Sequence, residues 1–161
     1  DVILGERIAD EIVFVDDNAR RNEKIMGFPV VREIPEMIGH ICPALGDNLM
    51  RKAICSKREL MSVISKTAHI GVESKIDSGC FIASGAHIGP QTIVGEGCIV
   101  NTHAVVEHNC KIGNFCHIAP RAVLCGTVTL GDNVFVGAGS VVKNNISICS
   151  NVVIGAGAVV V

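Results

Sequence analysis

The chain has 161 residues, and 14 basic against 16 acidic side chains leave a net charge of −2. It has no Trp or Tyr and five Phe. A near-neutral chain so poor in aromatics argues against a nucleic-acid groove or an anionic membrane surface as partner. Its apolar residues come in short runs broken by Gly, Asn and Asp, far from the roughly 18 in a row that a membrane helix needs. The first 60 residues read as a small α/β unit. "EIVFVDDN" (11–18) predicts a strand that exits into acids. "GFPVV" (27–31) predicts a short extended piece, "REIPEM" (32–37) a turn or short helix, and "ICPALGDN" (41–48) a strand and turn. "NLMRKAICSKREL" (48–60) has apolar residues at helical spacing, with Asp47 or Asn48 placed to cap it.

From Ile64 onward a different grammar holds. Stepping by six gives Ile64, Ile70, Ile76, Ile82, Ile88, Val94, Val100, Val106, Ile112, Ile118, Leu124, Leu130, Val136, Val142, Ile148, Ile154 and Val160, all aliphatic. With these as first in each hexad, the fifth is mostly small, as at Ala86, Cys98, Ala104, Cys110 and Cys116. In a strand, the fifth residue and the next aliphatic point the same way and the sixth points opposite. Short strands with two inward residues, joined by Gly-, Asn- and Asp-rich turns, are the faces of a hexapeptide β-helix. The pattern resembles the left-handed parallel β-helix of hexapeptide-repeat proteins, with eighteen residues per coil and about five coils over 61–161.

The hexad phase sorts the eight cysteines. Cys80, Cys98, Cys110 and Cys116 fall on the small inward position, where Cys acts as a small hydrophobe. Cys125 and Cys149 fall at turns, and Cys42 and Cys55 precede the repeat. No CxxC spacing suggests a structural zinc, and no metal site is expected. No secretory signal is visible, so the expected compartment is the cytoplasm and disulfides are not expected. The chain opens on Asp1 rather than Met, as a fragment or a processed form would.

The histidines separate as well. His69 and His87, eighteen apart, should stack on one face. His108 is third in its hexad, at a corner, with Gly126 eighteen residues on and therefore one coil away. A corner imidazole beside a glycine N–H is a base next to an oxyanion donor. His117 lies half a coil from His108, on another face. The two can meet only if a second chain packs alongside.

The run "INTHAVVEHNCKIGNFCHIAPRAVLCG", together with the upstream "VDDN", "GFPV" and "GDN", resembles the sugar acetyltransferases of the NeuD/PglD type. That resemblance covers nearly the whole chain. It implies a nucleotide-sugar-binding, Rossmann-like but truncated domain over 1–60 and an acetyltransferase β-helix over 61–161. It implies a homotrimer with acetyl-CoA between adjacent helices, and a nucleotide sugar or sialic acid as acceptor. His108 matches the catalytic base. Asn101, His117 and Gly126 match positions near the acyl group and thioester, and Ala138 and Ala156 match positions along the pantetheine arm. Asp16 and Asp17 match acids near the nucleoside. Position 109, often acidic in the family, is Asn109 here, and Glu107 is the neighbouring acid able to replace it. The family's N-terminal Gly-rich turn and closing C-terminal coil are missing from the sequence, which favours a scaffold as the alternative. A γ-type carbonic anhydrase would use His103 and His108, five apart, but its remaining ligand position is Thr67.

Overall fold

The computed structural model describes residues 12–36, 39–55 and 59–161. The start of the first expected strand at residue 11, residue 37 of the expected turn, and residues 56–58 of the expected helix lie outside the described residues.

Three short strands form the first sheet, β1 (Phe14–Val15), β2 (Lys24–Ile25) and β3 (Phe28–Val31), in the order β1-β3-β2. β1 runs parallel to β3, while β2 and β3 form a hairpin. The hairpin turns at Met26 (φ 50°) and Gly27 (φ 90°), the two positive values a two-residue hairpin loop requires. β2 was not expected from the sequence, because Met is an unusual residue for that turn. β4 (His40–Ile41) then leads to α1 (Asn48–Cys55), capped by Asp47, whose Oδ1 accepts the Met50 N–H at 2.8 Å. The expected helix over 48–60 is too long. α1 spans Asn48–Cys55, and Glu59–Leu60 are not helical but form β5, paired in parallel with β4. An extended segment is what the chain needs to enter the first coil of the repeat.

Seventeen two-residue strands, β6 to β22, wind into a three-sided solenoid of parallel sheets. The first face stacks β6 (Val63–Ile64), β9 (Phe81–Ile82), β12 (Ile99–Val100), β15 (His117–Ile118), β18 (Phe135–Val136) and β21 (Val153–Ile154). The second stacks β7 (His69–Ile70), β10 (His87–Ile88), β13 (Val105–Val106), β16 (Val123–Leu124), β19 (Val141–Val142) and β22 (Val159–Val160). The third stacks β8 (Lys75–Ile76), β11 (Ile93–Val94), β14 (Lys111–Ile112), β17 (Thr129–Leu130) and β20 (Ser147–Ile148). Every pairing joins residues eighteen apart, such as Val105↔Val123 and Ile118↔Val136. The second strand residue points inward, and from Ile82 to Val142 these are all buried. Each contributes about 1.5–3 kcal/mol by leaving water.

The small inward position is filled as the hexad phase required. Cys80, Cys98, Cys110 and Cys116 are fully buried, and all eight cysteines are unpaired thiols. Three of them form a column, each Sγ donating to a carbonyl fifteen residues on: Cys80 to Gly95, Cys98 to Gly113 and Cys116 to Gly131, all at 3.1 Å.

The outward residues make the three faces unlike. The third face carries Lys75, Ile93, Lys111, Thr129 and Ser147 and is mostly polar. The second carries His69, His87, Val105, Val123, Val141 and Val159. The first is covered by the N-terminal segment through Arg51 of α1, which is fully buried. The Arg51 guanidinium donates to the carbonyls of Gly97 (2.7 Å), Leu45 (2.7 Å) and Phe115 (2.9 Å), and to Asn48 Oδ1 (2.8 Å). Burial lowers its pKa, yet guanidinium stays charged in proteins, and carbonyl oxygens supply the compensating dipoles. No described helix is long and apolar enough to cross a membrane.

Candidate active site

From Glu73 onward the fourth residue of each hexad turns the corner and takes a positive φ, which favours Gly or Asn. The residue before it projects from the edge of the prism, and His108 is such a residue, at the edge between the second and third faces. Its carbonyl accepts the Thr127 N–H at 2.9 Å, which locks one coil to the next. Its ring lies against Gly126. A Cβ built on Gly126 would stand 2.6 Å from both Cε1 and Nε2 of His108. Below, a Cβ on Gly89 would meet the His108 backbone nitrogen at 2.6 Å. Glycine at 126 therefore leaves room for the imidazole to lie along the edge, and glycine at 89 lets the backbone at His108 stack closely on the coil before it.

His108 Nδ1 meets Asn109 Oδ1 at 2.9 Å, and its Nε2 edge is turned toward Gly126. Asn109, at φ 59°, is thus the residue of position 109 that touches the ring, where an acid was expected to be usual. Glu107 was the expected substitute and makes no hydrogen bond to His108. Its carbonyl accepts the Thr92 hydroxyl at 2.8 Å. No backbone acceptor among the described residues takes the Gly126 N–H, so that donor remains available beside the ring.

His117 points out of the first face, away from His108 as expected, but it is not a surface histidine. It is only 8% exposed, enclosed by the loop before α1. Nδ1 lies 3.2 Å from the Gly46 carbonyl, which can only accept, so Nδ1 carries the proton. Nε2 then accepts from Asn101 Nδ2 at 3.1 Å. Burial lowers the His117 pKa, the Gly46 bond raises it, and the Arg51 charge lowers it. The ring is held neutral, with Phe135 packed edge-on at 5.1 Å. Asn101 and His117 are therefore brought together, with both ring nitrogens satisfied within the chain.

Ala138 and Ala156 are exposed and stacked, with the Ala138 carbonyl accepting the Gly157 N–H at 2.8 Å. They form the edge between the first and second faces, opposite the His108 edge across the second face. Asp16 and Asp17 follow β1 directly. Asp16 Oδ1 accepts the Asn18 N–H at 2.9 Å, and Asp17 Oδ1 accepts from Asn18 Nδ2 at 2.7 Å. Just beyond them Ala19 to Asn22 and Val30 to Arg32 line an open cleft of about 450 Å³ that presents Arg20, Arg21 and Arg32. Sequence reasoning missed these arginines. The signal was available as a basic pair one residue after "VDDN". His103 stands at the edge shared by the first and second faces, one face away from His108. Among the described residues no three His, Cys, Asp or Glu side chains gather as metal ligands.

The family model described as bacterial transferase hexapeptide (six repeats) matches residues 73–108, 92–126, 109–144 and 127–161, more than half of the chain. The chain belongs to this hexapeptide transferase family. Its repeat fits a left-handed β-helix. No curated protein sequence matches it. Among solved structures, it is similar to the acetyltransferase domain of PglB from Neisseria gonorrhoeae FA1090, with 28% identity and a TM-score of 0.90 over 99% of this chain and 83% of that one. It is also similar to a histidine-to-asparagine mutant of perosamine N-acetyltransferase from Caulobacter crescentus, solved with CoA and GDP-perosamine. That match has 31% identity and a TM-score of 0.85 over 99% of this chain and 82% of that one. WeeI from Acinetobacter baumannii AYE shares the fold at 22% identity and a TM-score of 0.90, over 99% of this chain and 83% of that one.

Proposed function

We propose that this hexapeptide transferase moves the acetyl group of acetyl-CoA to the amine of a nucleotide-linked amino sugar. The observation that carries the reading is His108 on Gly126, an imidazole edge beside an unpaired backbone N–H. The acceptor nitrogen attacks the thioester carbonyl while His108 Nε2 takes its proton. The tetrahedral oxyanion faces the Gly126 N–H. The C–S bond then breaks, and the departing CoA sulfur receives the proton from the imidazolium. A solved relative holding CoA and GDP-perosamine supports both substrate classes. The arginine cleft after Asp16 and Asp17 suits the diphosphate of such an acceptor, and the two acids suit hydroxyl or amide groups of its nucleoside.

The same reading assigns the second face to neighbouring copies, in a homotrimer. α1 covers the first face and lysines occupy the third. The second leaves a stripe of valines between the His108 edge and the Ala138–Ala156 edge. Packing that stripe against a neighbour buries it and sets the His108 edge of one copy near the alanine edge of another, where a rod-like pantetheine fits.

The test is release of CoA thiol from acetyl-CoA in the presence of GDP-perosamine, UDP-4-amino sugars or sialic acid. Turnover with an amino sugar that disappears in His108→Ala is expected. Turnover with sialic acid alone would move the assignment to O-acetylation, and full activity in His108→Ala would remove the base.

A further inference from the structure

The edge that carries His108 differs from the other two. Its positive-φ residues are Glu73, Gln91, Asn109, Thr127 and Asn145, with no glycine among them, whereas the other edges mix glycines with side chains: Gly79 and Gly97 with Phe115, Asn133 and Asn151, or Gly85, Gly139 and Gly157 with His103 and Arg121. A left-handed backbone is unfavourable for Glu and Gln by about 1 kcal/mol each, so side chains at these positions call for a reason. The reason lies in their contacts. Glu73 Oε2 accepts from Gln91 Nε2 at 2.8 Å, Gln91 Oε1 accepts from Asn109 Nδ2 at 2.9 Å, and Asn109 Oδ1 meets His108 Nδ1 at 2.9 Å.

We propose that Glu73 is a positioning residue that sets the tautomer of His108 from two coils away, through Gln91 and Asn109. The inference rests on His108 being the base. An ionised carboxylate only accepts, so Glu73 turns the Gln91 amide nitrogen toward itself. Gln91 then presents its oxygen to Asn109, which must answer with its own nitrogen. That leaves Asn109 Oδ1 facing His108, so Nδ1 carries the proton and the Nε2 lone pair faces the Gly126 side. Each amide passes the direction on because it has one accepting and one donating end. Asn109 alone could point either way. The carboxylate stands at the far end of a two-amide wire.

Glu73→Gln tests the wire and keeps its shape. The new amide can donate to Gln91 Oε1, which lets both amides reverse and present an N–H to His108 Nδ1. The proton then moves to Nε2. The imidazole nitrogen shifts of ¹⁵N-histidine-labelled protein should change from the Nδ1–H pattern toward Nε2–H. The kcat should fall about tenfold, less than for a buried triad because water reaches this edge, with the KM for acetyl-CoA and the melting temperature unchanged. Adding Asn109→Asp places an acceptor-only group next to the ring and makes Glu73 irrelevant. In that double variant the Nδ1–H pattern and kcat should return to within about twofold of Asn109→Asp alone. An unchanged tautomer in Glu73→Gln, or an equal kcat loss with and without Asn109→Asp, would overturn the proposal. The nitrogen shifts decide it even if no acceptor is acetylated, so its failure is distinguishable from failure of the assigned activity.

Discussion

The imidazole of His108 rests on Gly126, eighteen residues later, with no room for a β-carbon between them: one placed there would be 2.6 Å from Nε2. Gly126 does not have a left-handed backbone, so alanine fits its conformation, and the obstruction is an exposed side chain able to swing away. Gly126→Ala should fold with a stability change within about 1 kcal/mol. Displacing the base should lower kcat by roughly a hundredfold. Thermal melts alongside steady-state kinetics check the pair, and a melt that collapses would show the contact to be structural instead.

Arg51 is the least exposed charged group described, and its partners include the carbonyls of Leu45, Gly97 and Phe115. Arg51→Ala should destabilise the protein by on the order of 3 kcal/mol, because several buried acceptors lose their donor together. Arg51→Lys should recover little, since one ammonium cannot span the same fork. Urea unfolding of the three proteins gives the comparison.

His117 should make stability depend on pH. Its folded pKa is lowered below the ordinary value of 6.5, first by burial. The unfolded chain therefore takes up this proton more readily than the folded one. The contribution is fully present above about pH 6.5 and is lost as the pH falls below that toward the folded pKa. Denaturation at pH 7.5, 6.5 and 5.5 should show falling stability, and His117→Gln should flatten the fall. An unchanged slope would assign it to other groups.

The cysteines should react in an order set by burial. Cys149 is exposed, Cys125 and Cys42 are half-buried, and the other five are buried. Burial also pushes the Cys42 thiol up to about 11, leaving little thiolate at neutral pH. An aromatic disulfide reagent should modify Cys149 first and Cys125 next. All eight should react only after denaturation, without a reductant. Fast native labelling of Cys98 would contradict the inward column.

The solenoid was legible because one periodic rule fixes both strand and facing: an aliphatic every sixth residue is inward, so Cys98 and Cys116 had to be core. The His108–Gly126 contact followed from the same count of eighteen. The enclosure of His117 did not, because its partner Gly46 is 71 residues away and nothing local in "CHIAP" announces a lid. The Glu73–Gln91–Asn109 column was countable but unremarkable, since exposed corner residues satisfy almost any polar composition. The helix expected to reach residue 60 had a similar cause: pairing of Glu59 and Leu60 with His40 and Ile41, far back in the chain, overrides local helical propensity there.

A stacked solenoid is quasi-one-dimensional, each coil held mainly by its neighbours, so such rods open from their ends. Arg51 adds a contact of another kind. It reaches from the N-terminal segment to Gly97 on one coil and Phe115 on the next, so those two coils cannot separate without also releasing the loop over His117. Amide exchange should be slowest there and speed up toward both ends of the rod. The first-face half of the candidate site would then sit in the last part of the molecule to open.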